Sequence, residues 1–187
     1  MTPTDPPADA APDPRPPRRR ERRGQRGRDR IALLRRDAAA GTAWEIVQPR
    51  CARQRREDIE EVEAMVEAGE TDIARDELVW LLTECPDFID AHVQLGLIAL
   101  EEDDPRLARG HFGRAYELCL QAVEAAGGTG PVPYALPGNQ PFHQAAKGLV
   151  HCLMETGRRR TATEVCRRML VLDPADALGL ARIAGRP

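Results

Sequence analysis

The chain has 187 residues, 42% of them hydrophobic, and a net charge of −3. No apolar run approaches the ~20 residues of a membrane-spanning helix, and the length allows one ordinary core. Residues 1–56 carry 15 basic and 7 acidic side chains and residues 57–187 carry 12 and 23, or +8 and −11, which excludes an evenly charged globule and reads as a basic arm on an acidic folded unit.

In chain order, Met1 to Pro17 holds seven prolines among small and acidic residues. Such a segment cannot bury enough surface to offset its ordering entropy. Residues 1–30 are therefore predicted to be a disordered Pro/Arg-rich arm whose cations are Arg18, Arg19, Arg20, Arg22, Arg23, Arg26, Arg28 and Arg30. An arginine run of this kind either meets phosphate or an acidic protein surface, or is a solvated tail. The first residues are prolines and aspartates where a secretory signal is apolar, so a cytoplasmic protein is expected. The five cysteines include no C-x-x-C pair and are expected to be reduced, packed thiols.

Residues 31–56 are predicted to form a short helix and a capping segment. Ile31, Leu33 and Leu34 give the stretch Arg28 to Ala40 an apolar side before Gly41 stops it. Trp44, Ile46 and Val47 then form an apolar cluster, read as covering the end of the helical unit that follows or as a short partner-binding motif.

A helix is predicted over 57–69 from Ile59, Val62 and Met65, and a second to about Glu84 with Thr71 or Asp72 as its cap. Asp87 is a candidate cap for a helix through Leu100, and Asp104 with Pro105 for one reaching about Ala126. Residues 127–141 break the pattern as an inserted loop whose Tyr134, Leu136 and Phe142 predict that it folds back onto the helices. A third pair follows at Phe142–Glu155 and Thr161–Leu172, with Thr161 and Glu164 at capping-box spacing. Asp173 and Pro174 then start a last helix through Ile183.

Small and bulky residues in these helices recur 34 apart: Ala74 with Ala108, Leu78 with Phe112, Leu81 with Ala115, Met65 with Ala99. Ala108 to Ala162 is one such period plus the inserted loop. His92, Leu95, Gly96, Ala99, Ala108 and Phe112 follow the pattern W-x2-L-G-x2-Y then A-x3-F, with His92 and Ala99 where Trp and Tyr stand. Residues 57–187 thus resemble the tetratricopeptide repeat family, and the LPGNQPF turn and closing LDPADALGL resemble bacterial tetratricopeptide proteins to which no activity attaches.

The resemblance implies an all-α fold: a helix-turn-helix solenoid of about three such hairpins plus a C-terminal capping helix. It also implies a concave groove for a peptide or helix, lined by Asp90, Val93, Gln94, Leu97 and Leu100 in the second repeat and Gln144, Lys147, His151 and Met154 in the third. The family's carboxylate clamp is missing, because Val93 and Leu97 stand where its Lys and Asn would be. The function implied is a non-enzymatic scaffold for a protein or peptide partner. The alternative is an RNA- or ribosome-associated adaptor using the arginine arm.

No catalytic, cofactor or metal site is expected. His111, His143, His151 and Cys152 lack the spacings of a zinc site, no orienting third group accompanies a Cys/His pair, and Gly127, Gly128 and Gly130 lack the strand that precedes a phosphate loop. From Glu57 to Asp104 there are 17 carboxylates and one basic residue, Arg75. Such a field selects a cationic partner, and the chain's own arm is one candidate.

Overall fold

A computed structural model of the chain describes residues 30–38, 41–128 and 130–185. Of the arm residues only Arg30, exposed in a bend, is among them; Arg18, Arg19, Arg20, Arg22, Arg23, Arg26 and Arg28 lie outside the described residues.

The first described element corrects both the predicted helix at 28–40 and the all-α fold. Strands β1 (Ala32–Ala38) and β2 (Gly41–Val47) form an antiparallel hairpin with Ala32 opposite Val47 and Trp44 opposite Arg35. The physical reason is the period of the apolar residues. Ile31 and Leu33 pack against the core while Leu34 is 43% exposed, which is alternation across a pleat, not a helical stripe.

The helices are α1 (Arg50–Gln54), α2 (Arg56–Glu67), α3 (Thr71–Glu84), α4 (Ile89–Glu101), α5 (Pro105–Ala125), α6 (Gln140–Glu155), α7 (Arg159–Leu172) and the short α8 (Leu180–Ile183), with a 3-10 turn at Pro137–Asn139 before α6. From α2 to α7 each packs on its successor, and α4 also touches α6. The helices α2, α4 and α6 end in the same turn, where an N–H reaches back five residues: Glu70 to Met65, Asp104 to Ala99, Arg158 to Leu153. The residue before each donor is left-handed, Gly69, Asp103 and Gly157 in turn, as this helix ending requires. The 34-residue spacing thus survives as a repeated turn. A uniform stack of hairpins does not describe the chain, because α5 runs 21 residues, an insertion separates it from α6, and the closing helix is four residues long.

Of the predicted caps only Asp104 acts as one, accepting from the N–H groups of Arg106 and Leu107. Helices α3 and α7 begin at Thr71 and Arg159, so Thr71, Asp72 and Thr161 lie inside the first turn, and neither helix has a side-chain cap. Asp87 instead pairs with Arg114 at 2.9 Å.

Two apolar clusters make the core. The first joins Ala52, Ile59, Val62, Ala74, Leu78, Leu81 and Phe88 to Ala91, Leu95 and Ile98 of α4. The second runs from Ile46 of β2 through Ile89 and Val93 of α4 to Leu180. Helix α4 is buried on both sides, which is why it is apolar nearly all round. At the centre of the second cluster the Phe112 ring is held between two backbones: a Cβ on Gly96 would lie 2.7 Å from Phe112 Cε1, and one on Gly148 would lie 2.6 Å from Cε2.

The insertion folds back as its aromatic residues predict. The N–H of Val132 donates to the Leu172 carbonyl at 2.8 Å and that of Tyr134 to Asp173 Oδ2 at 2.9 Å. The hairpin docks on this insertion, which corrects its expected place over the first helix pair. Trp44 N–H donates to the Pro131 carbonyl at 2.8 Å. Asn139, fully buried, accepts from Ile46 N–H and donates to the carbonyls of Trp44 and Pro133. Replacing Asn139 by leucine strands buried backbone groups on both segments, a loss of about 2 kcal/mol. In a Trp80→Phe background the emission of Trp44 is expected to shift to the red. An unchanged melting curve and spectrum would show that the hairpin is held elsewhere.

The reduced state expected for all five cysteines is also corrected. Cys51 and Cys85 form a disulfide, their Cα atoms 5.8 Å apart, while Cys119, Cys152 and Cys166 are free and buried. The pairing was hidden in the sequence because the two residues are 34 positions apart and meet only when α1 packs against the end of α3.

Candidate interaction groove

Between α4 and α6 lies a groove of about 330 Å³. Val93, Leu97 and Leu100 of α4 stand at spacings of four and three, one helical face. Opposite them Gln144, Lys147 and His151 of α6 stand at spacings of three and four and are exposed. Phe112 and Gly148 form the floor, and Tyr134, Leu178 and Ile183 close it. Val93 is 3% exposed and belongs to the core, whereas Leu97 is 44% exposed. One wall is thus apolar and the other carries hydrogen-bonding groups and an ammonium.

Of the residues assigned to a groove by resemblance, the structure brings together Val93, Leu97, Leu100, Gln144, Lys147 and His151. Met154 is half-buried against the second core cluster. Gln94 turns to the other side and donates to Glu63 at 2.8 Å. Asp90 lines an adjoining cleft of about 520 Å³ beside the hairpin, which shares Gln144 with the groove; Asp90 is hydrogen-bonded to Gln48 there, and burial raises its pKa. Tyr134, Leu178 and Ile183 were missed as groove residues. They come from the insertion and the last segment, and their apolar character marked only that those segments fold back.

The three free cysteines are buried. Burial pushes the Cys119 and Cys166 thiols up and that of Cys152 to about 11, so they are thiols and not the thiolates that react. Among the described residues no group of three His, Cys, Asp or Glu is placed to hold a metal ion, and no helix is long and apolar enough to cross a membrane.

Three histidines are held below their ordinary pKa, each chiefly by burial: His92, His111 and His143. His143 Nε2 lies 2.8 Å from the Val132 carbonyl and so donates to it, and its Nδ1 is 3.9 Å from Asp173. His92 Nε2 lies 3.2 Å from the Pro86 carbonyl, while its Nδ1 faces His111 Nδ1 at 3.5 Å beside the Asp87–Arg114 pair. One of those two Nδ1 atoms must be unprotonated. Because the folded pKa values lie below the unfolded value of 6.5, the unfolded chain takes up protons first as pH falls. Stability is therefore full above that value and drops as pH falls through it toward the folded values. Asp90, raised from 3.8 chiefly by burial, acts oppositely, its contribution growing as pH falls through its folded value toward 3.8. The melting temperature is expected to be lower at pH 5.5 than at pH 7.5, and less so in His143→Gln; equal values for the wild type would contradict the buried neutral rings.

Residues 60–183 match the family model described as transcriptional repressor TCF25. No curated protein and no solved structure matches the chain. The family match overturns the tetratricopeptide resemblance read from the 34-residue spacing: that spacing reflects paired helices with like turns, a geometry that does not by itself specify a family.

Proposed function

Because this chain belongs to the transcriptional repressor TCF25 family, we propose that it serves transcriptional regulation as a non-enzymatic adaptor, holding a peptide or helix of a partner protein in the groove between α4 and α6. The single observation that carries this reading is the exposed Leu97 on an apolar wall facing the polar edge of α6, since ligand sites combine apolar walls with a few oriented polar groups.

The test is partner capture with the full chain and two surface variants. Leu97→Asp is expected to lose a captured partner while keeping its helicity, and Leu107→Asp, 48% exposed and outside the groove, to retain it. A complex built on apolar contact persists as salt rises, whereas phosphate-driven binding weakens steeply. A partner that is kept by Leu97→Asp but lost on deleting residues 1–30 would move the function to the arginine arm and a nucleic acid.

A further inference from the structure

The groove differs in charge from the surface around it. Between Glu57 and Asp104 there are 17 carboxylates, and the neighbouring cleft is lined by ions of both signs, Glu45, Glu60, Glu63 and Asp90 with Arg36, Arg53 and Arg56. No Asp or Glu lines the groove, and its one fixed charge is Lys147, the only lysine in the chain. Lys147 is exposed, and no carboxylate among the described residues stands within ion-pair distance of it.

We infer that the groove takes an acidic amphipathic segment of a partner protein, with one or two apolar side chains against Leu97 and Leu100 and a carboxylate on Lys147. This rests on the groove being the binding site. A space of about 330 Å³ admits side chains, not a whole helix, so the segment rests on the rim and inserts anchors. Gln144, one turn before Lys147, can both donate to and accept from the segment's polar groups. A basic segment would set its charge against Lys147 with no carboxylate in the groove to receive it. A nucleic-acid strand would find apolar walls and a single cation where a phosphate backbone needs several. The acidic helices elsewhere repel an acidic ligand only weakly at physiological ionic strength, where fields decay over ~8 Å, and the local ammonium decides.

The probe is a library of short random peptides displayed on phage, selected on the full-length chain and counter-selected on Leu97→Asp. Enriched sequences, made as labelled peptides, are titrated by fluorescence anisotropy against the wild type, Lys147→Gln and Lys147→Glu, each checked for wild-type melting. The peptides are expected to pair leucine-like or aromatic residues with Asp or Glu. Binding should weaken about 3- to 10-fold in Lys147→Glu, less in Lys147→Gln, as one exposed ion pair allows. Peptides with their acids changed to lysine should prefer Lys147→Glu over the wild type. Neutral or basic peptides that depend on Leu97 and ignore Lys147 would overturn the acidic partner while leaving the groove as the binding site. If no peptide depends on Leu97, both readings fall.

Discussion

Replacing Phe112 with alanine is expected to lower the unfolding free energy by about 3 to 5 kcal/mol, as large aromatic-to-alanine cavities do. The ring is 1% exposed, lies in the second core cluster, and is clasped between Gly96 and Gly148. A loss of that size is a large share of the ~5 to 15 kcal/mol that holds a domain together. The clasp also predicts a coupling. Gly148→Ala alone forces its new methyl into the ring and costs about 1 to 3 kcal/mol, whereas in a Phe112→Leu background the same methyl finds room. The double variant should therefore be more stable than the sum of the single changes. Urea unfolding of the four proteins measures this, and strict additivity would show that ring and glycine do not touch.

The disulfide carries the second large effect. Closing a 34-residue loop between Cys51 and Cys85 removes unfolded-chain entropy equivalent to about 3 to 4 kcal/mol. Reduction, or Cys51→Ser, is expected to lower stability by that amount, and reductant should then have no further effect on the variant. Thiol titration in denaturant gives an independent check. Without reductant it should count the three free cysteines, Cys119, Cys152 and Cys166, and after reduction all five in the chain. Five reactive thiols in the unreduced protein would remove the bond. The same bond ties α1, and through it the hairpin, to the end of α3, so its loss is expected to loosen the polar cleft lined by Gln48, Ala52 and Asp90 before it reaches the groove.

Helix positions were legible in the sequence because each rests on residues within a few turns of one another. The period of Ile59, Val62 and Met65, the Asp104–Pro105 start and the stops at Gly69 and Gly157 are local signals, and they place α2, α5 and the turns well. The apolar residues that fold the insertion back were equally visible. Single caps failed in both directions: α7 begins two residues before Thr161, whereas α4 begins two residues after Asp87. The short segment from Ile31 to Leu34 was ambiguous because so few apolar residues fit either period, and its partner strand settled it.

By itself the sequence determined a mostly helical unit, the starts and stops of several of its helices, and the basic composition of the first 56 residues against the acidic remainder. Only the tertiary structure decided that Tyr134, Leu178 and Ile183 close the groove, that Asn139 binds the hairpin across 93 and 95 positions, and that Cys51 meets Cys85. The physical reason is range. Helix periodicity and turn chemistry are properties of neighbours along the chain, whereas a groove wall, a buried amide's partners and a disulfide are set by which segments the closing core brings together.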